Sequence, residues 1–159
     1  MEKRFLLIAF FSFCFLGAGA QVDPYALGLR LTAGSYSGTL ISYQHGFDLE
    51  TRFQLDVGWG FTSGRDRLLF SGIFQKAYPI VERWGWFGGG GAVIGFVSNN
   101  SATNNSNTLY LGPSAMAGLE YRFDVPLRLT LDIQPVLNLI PELKLEFGIG
   151  FGARYAFGH

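Results

Sequence analysis

The chain has 159 residues, 12 acidic and 12 basic side chains, a formal charge of zero and one cysteine. That length suits one domain. The charge balance argues against a nucleic-acid partner, and one thiol cannot build a disulfide framework.

Glu2, Lys3 and Arg4 open the chain with net positive charge. Phe5 to Gly17 is apolar, and Ala18-Gly19-Ala20 supplies small residues behind it. This is the layout of a secretory leader cleaved before Gln21. The apolar run is too short for a transmembrane helix. The expectation is a leader over residues 1–20 and one exported domain over 21–159. Cys14 falls inside the leader, behind Phe11-Ser12-Phe13, which is too bulky an approach for lipidation. The exported part therefore holds no thiol. Eleven acids and ten bases remain in it once Glu2, Lys3 and Arg4 are set aside. No later segment is a continuous apolar run long enough to cross a bilayer as a helix.

Beyond the leader the pattern has a period of two, which belongs to strands. Tyr25, Leu27, Leu29, Leu31 and Ala33 alternate with Ala26, Gly28, Arg30 and Thr32. Thr39, Ile41, Tyr43, His45 and Phe47 form the second such series, and Phe53, Leu55, Val57, Trp59 and Phe61 the third. Leu68 to Tyr78 has apolar residues in both registers; Phe70, Phe74 and Tyr78 are placed outward, which takes Lys76 out with them, near an end where it can snorkel. Trp84 to Val97 is almost wholly apolar or glycine. Leu119, Tyr121 and Phe123 alternate with Gly118, Glu120 and Arg122, and Leu127, Leu129, Leu131 and Ile133 with Arg128, Thr130, Asp132 and Gln134. The last series is the longest: Leu143, Leu145, Phe147, Ile149, Phe151, Ala153, Tyr155 and Phe157 against Lys144, Glu146, Gly148, Gly150, Gly152 and Arg154. Eight strands follow. Their connections are read at residues 34–38, 48–51, 63–67, 79–83, 99–107, 124–126 and 140–142, with 99–107 a long Asn-rich loop. Such a chain reads as an all-β, eight-stranded antiparallel up-and-down meander.

The glycines lie on the same face as the charges, and the bulky side chains on the other. Curvature crowds the inside of a small barrel, so large residues fit outside. The pattern therefore predicts an inverted arrangement, with hydrocarbon around the bulky face and small and ionic residues along the axis. A soluble periplasmic carrier of lipocalin type would need polar outer faces, which most of these strands lack. Aromatics at 16% and a count of 22 glycines suit the membrane reading. With the N-terminus taken as periplasmic, Tyr25, Phe47, Phe53, Tyr78, Trp84, Trp86, Tyr121, Phe123, Tyr155 and Phe157 gather at one end as a periplasmic aromatic girdle. Trp59, Phe61, Phe70, Phe96 and Tyr110 belong to the opposite rim.

On these residues, from Tyr25 to Phe157, the chain resembles the small eight-stranded outer-membrane barrels of Gram-negative bacteria. It is similar to the OmpX and OmpA transmembrane domains, and most of all to the short single-barrel proteins of Bacteroidetes. The resemblance implies an outer-membrane location, surrounding outer-membrane lipid, and a final aromatic read by the barrel-assembly machinery during biogenesis. Here Gly158 and His159 follow Phe157, so the aromatic is not strictly terminal.

Nine charges fall on the inward register: Arg30, Asp56, Glu120, Arg122, Arg128, Asp132, Lys144, Glu146 and Arg154. Buried charges must be paired, so a salt-bridged, closed lumen is expected. Arg122, Arg128 and Arg154 are placed low, with Glu120, Asp132 and Asp56 above them.

Catalytic chemistry finds little support. A hydrolase needs a nucleophile and a base within reach. The exported part offers only His45, on the outward register, and His159 at the terminus. Gly88 to Gly91 lacks the Lys-Ser or Lys-Thr and the helix of a phosphate loop. No cluster has metal-ligand spacing, and no cofactor is implied. The function expected is a non-enzymatic envelope scaffold or surface-contact protein, acting in adhesion or as a subunit beside an envelope protein partner. The alternatives are a lipid A deacylase-like outer-membrane hydrolase and the soluble carrier. Pro113 and Pro135 cannot donate to a ladder. They are expected to face Leu137 and Ala115 and to force a bulge or break between strands six and seven.

Overall fold

The computed structural model describes residues 22–62, 65–101 and 104–158. Residues 1–21, which include the expected leader, and His159 lie outside the described residues. The strands are β1 (Tyr25–Gly34), β2 (Gly38–Gly46), β3 (Thr51–Thr62), β4 (Arg65–Val81), β5 (Trp84–Ser101), β6 (Asn104–Arg122), β7 (Leu127–Asn138) and β8 (Lys144–Phe157). Each pairs antiparallel with the next, and β1 pairs with β8 to close the barrel. Closure leaves the spanning backbone without an open edge. Among the described residues no helix is long and apolar enough to cross a membrane; barrels cross with strands.

The facing of the side chains is inverted relative to a soluble barrel. Leu145, Phe147 and Phe151 are 55%, 58% and 47% exposed, while Arg154 on the same strand is 1% exposed. On β4, Phe70, Phe74 and Lys76 point out, and Ile73, Gln75 and Ala77 are buried. In water such a surface would far exceed the few hundred Å² of apolar patch a monomer tolerates. A bilayer removes that conflict.

Inside, apolar side chains form two clusters. Val22, Ile73, Ala77, Phe87 and Met116 pack on the β4–β6 side. Tyr36, Leu40, Leu69, Val93 and Val136 pack nearer the end away from Val22 and Gly158. Eight strands enclose a space that side chains can fill. The packing is close: a Cβ at Gly118 would lie 2.7 Å from the Phe87 ring.

Strand lengths differ from the reading of the sequence. β1 and β2 have 10 and 9 residues, whereas β4, β5 and β6 have 17, 18 and 19. The Asn-rich segment is not a long loop. Asn99, Asn100 and Ser101 pair with Ser106, Asn105 and Asn104. Likewise Arg65, Asp66 and Arg67 are ladder residues of β4. Asn and Ser favour turns locally, but strand residence is decided by cross-strand neighbours. At the other end β4 runs on to Val81, leaving only Glu82 and Arg83 as the turn.

The two prolines break the ladder where expected. β6 and β7 pair from Arg122↔Arg128 to Ala117↔Ile133, then again only at Ser114↔Val136. The Pro135–Ala115 and Pro113–Leu137 pairs are missing from it. No residue is inserted at Pro135, since Ser114↔Val136 keeps the register. Beyond Pro113 the register slips, and Leu111 bridges Ile140. Side chains replace the lost ladder bonds: Ser114 Oγ donates to the Pro135 carbonyl at 3.1 Å, and Gln134 Nε2 donates to Ser114 Oγ at 3.0 Å.

Candidate functional site: an ionic lumen under a raised wall

Seven of the nine charges predicted inside form the lower and middle lumen. Arg30 on β1 pairs with Asp56 on β3 at 3.2 Å and with Asp132 on β7. Arg122, Arg128 and Arg154 lie at one level, as direct partners across β6, β7 and β8. Glu120 lies one inward step above Arg122 and bonds Arg122 at 2.7 Å. Arg154 is held by hydroxyls: its Nε donates to Ser42 Oγ and its Nη1 to Thr130 Oγ1, both at 2.9 Å.

Two ionic members were not identified from sequence. Arg52 pairs with Glu120 at 2.6 Å and lies over the Phe87 ring at 4.9 Å. It is the second residue of β3, hidden behind the turn at 48–51. Asp23, ahead of β1, pairs with Arg128. Glutamines join the ions: Gln44 and Gln75 both donate to Gln54 Oε1, at 2.8 and 3.0 Å, and Gln54 donates to Asp56 at 2.8 Å. All three were legible as inward positions, and only their lack of charge kept them out of the ion list.

Lys144 and Glu146 do not join this network. They pair with each other at 3.0 Å at the rim, where the Lys144 side chain is 66% exposed. The reason is height: both precede the first glycine of β8, above the ionic layer. Glu146 instead accepts from Asn138 Nδ2 at 2.8 Å, and Asn138 Oδ1 accepts from the Tyr36 hydroxyl at 2.8 Å. Above them Arg67 donates to the Ser35 carbonyl at 2.7 Å and lies over Tyr36 and Tyr110. Chemically this lumen is an ionic packing layer capped by apolar and aromatic side chains, in which one buried guanidinium nitrogen each of Arg52, Arg128 and Arg154 has no hydrogen-bond partner among the described residues.

At the end bearing Val22 and Gly158, aromatic rings run around the outside. Phe157 contacts Tyr25, Tyr25 contacts His45, and His45 contacts Phe47 at 4.9 Å. Phe74 links Phe47 and Phe53. Tyr78 stacks on Trp86, while Trp84, Tyr121 and Phe123 form a second run. Tyr155 is exposed beside Leu127. His45 thus sits among rings, with Phe74 an added member. Among the described residues no group of three His, Cys, Asp or Glu could hold a metal ion.

At the opposite end the three long strands rise as a wall. Upper β6, Asn104 to Tyr110, pairs with β5 on one side. Its other side has no strand partner among the described residues, because β7 has already turned away.

These features together decide the architecture. No family model matches the sequence, and no curated protein matches it. Solved structures do. The N-terminal β-barrel domain of Pseudomonas aeruginosa OprF superposes with a TM-score of 0.75 at 13% identity, over 84% of this chain and 96% of that one. Neisserial surface protein A gives 0.63 at 12%, over 84% and 94%. Ail, the attachment invasion locus protein of Yersinia pestis, gives 0.60 at 16%, over 84% and 96%. The chain has the fold of the small eight-stranded outer-membrane β-barrels. That fold supports a place in the outer membrane, and at these identities it is the fold alone that is shared.

Proposed function

We propose that this outer-membrane barrel is a non-enzymatic surface-contact protein. Its closed lumen is a structural filler, outer-membrane lipid is its solvent, and the barrel-assembly machinery inserts it. The raised wall faces outside and meets a protein partner, either on another surface or in the same envelope. One observation carries this reading: the β6 edge from Asn104 to Tyr110 stands above the barrel with one side unpaired among the described residues. Unpaired N–H and C=O groups on such an edge are a template for an added strand. Among the neighbours, Ail is named for attachment and has been crystallised with the heparin analogue sucrose octasulfate.

Two measurements test it. A protease-cleavable tag inserted between Ser101 and Asn104 should be cut on intact cells; protection of the tag would place the wall inside. Crosslinking followed by detergent extraction should capture a protein partner through the full chain and lose it when residues 99–107 are replaced by a two-residue turn. The shortened barrel should keep its heat-sensitive mobility in detergent gels. Equal capture by both forms would end the proposal.

A further inference from the structure

Three guanidiniums of the lower lumen each keep one N–H group with no hydrogen-bond partner among the described residues: Arg52 Nη2, Arg128 Nε and Arg154 Nη2. All three residues are at most 2% exposed. An unpaired N–H on a buried charge is costly, so such groups call for an ion or an ordered water. The three lie together. Arg52 crosses from β3 to Glu120 on β6, Arg128 from β7 to Gln44 on β2, and Arg154 from β8 to Ser42 on β2. Guanidiniums that reach strands two or three places away stand in the lumen, off their own wall. Glutamines join them: Gln75 accepts from Arg52 Nε, Gln44 accepts from Arg128 Nη1, and both donate to Gln54 Oε1. Gln54 and Ser42 both donate to Asp56, and Ser42 accepts from Arg154 Nε. The charge of Arg52 accordingly acts on both Arg128 and Arg154. The layer also holds a surplus cation. Arg30, Arg52, Arg122 and Arg128 meet the carboxylates of Asp56, Asp132, Glu120 and Asp23. Arg154 meets no carboxylate among the described residues and bonds only hydroxyls.

We infer that Arg52 Nη2, Arg128 Nε and Arg154 Nη2 together hold one chloride ion inside the barrel. A monovalent anion supplies the one negative charge that Arg154 lacks. A halide also accepts several N–H bonds at once. A water would satisfy hydrogen bonds and leave the buried charge unpaired. A phosphate or sulfate is too large for a lumen that side chains already fill: a Cβ at Gly152 would stand 2.8 Å from Arg154 Nη1. The route in runs past Arg122 and Asp23, whose side chains are 28% and 18% exposed. Bound there, the ion completes the packing of the lower lumen, whichever way the raised wall faces.

Two measurements on the full barrel, refolded in detergent, test the site. Crystals grown with bromide in place of chloride should show an anomalous bromide peak inside the barrel, in contact with at least two of the three nitrogens. Replacing gluconate by chloride at fixed ionic strength should raise the folding equilibrium constant, read from urea unfolding, at least tenfold and saturably, because the ion binds only the folded state. Gluconate is too large for the site, and fixed ionic strength removes general screening. Arg154→Met deletes the surplus charge and one donor. It should be equally stable in both salts and keep its heat-sensitive gel mobility. Should that variant fail to fold, the bromide map of the parent still decides. The proposal is overturned by equal stability of the parent in the two salts, by a bromide map with no peak at these nitrogens, or by an Arg154→Met barrel that keeps the parent's chloride dependence.

Discussion

Arg30 and Asp132 meet over a position that only glycine leaves open. Gly150 on β8 lies between β1 and β7 and is the direct partner of Asp132. A Cβ at residue 150 would stand 2.5 Å from Arg30 Nε and 2.6 Å from Asp132 Oδ1. At Gly148, one inward step higher, the nearest atom would be 3.7 Å away. Gly150→Ala should therefore lower stability by about 1–3 kcal/mol, the usual cost of overpacking. Gly148→Ala should stay within about 0.5 kcal/mol, as at sites free of such conflict. Urea unfolding in lipid vesicles measures both. Equal losses would show that the ion pair does not depend on the missing methyl.

Glu120 is shared by Arg52 and Arg122, and the two bonds differ in burial. The Arg52 side chain is fully buried and that of Arg122 is 28% exposed. Glu120→Gln leaves a buried guanidinium without its carboxylate and should cost about 3–5 kcal/mol. Arg122→Met removes a partly solvated partner and should cost about 0–1 kcal/mol. A reversed order in the same unfolding assay would place the energetic centre of the lumen elsewhere.

The alternation of β8 was enough to tell which face meets lipid, because Leu145, Phe147 and Phe151 share one parity with no charge among them. The even-numbered glycines supplied the sense of curvature. Strand ends were not legible in the same way. Arg52 follows a turn and Asp23 precedes β1, so neither stood inside a recognisable alternation, yet both join the lumen ions. Upper β5 and β6 read as loop, since Asn and Ser carry turn chemistry. Their strand state comes from the ladder between them, which is a non-local property. The unpaired edge of β6 was out of reach for the same reason: it depends on where β7 turns away.

Leu131 tests the inverted arrangement directly. It lies mid-way along β7 and points outward, 56% exposed. In hydrocarbon, Leu131→Arg should cost about 2–4 kcal/mol, as for a midplane cation. Val125→Arg, in the turn before β7, should cost about 0–1 kcal/mol. Reversible unfolding in thin-bilayer vesicles gives the difference. A Leu131→Arg barrel as stable as the parent would mean that this face meets water.

Tyr36 provides a pH test outside the spanning strands, in the turn between β1 and β2. Burial first, and then the neighbouring Glu146 carboxylate, push its phenol above the ordinary value. A raised folded value means that the neutral phenol favours the fold. That contribution is complete below the unfolded value of about 10 and is lost as pH rises through the folded one. Tyr36→Phe deletes the ionisable group together with its hydrogen bond to Asn138. The parent should therefore lose its stability advantage over Tyr36→Phe only above about pH 10, and the variant should lack the latest-ionising component of the tyrosinate absorbance curve. Superimposable curves for the two proteins would show that the Tyr36 hydroxyl is solvated and the upper cap of the lumen is open.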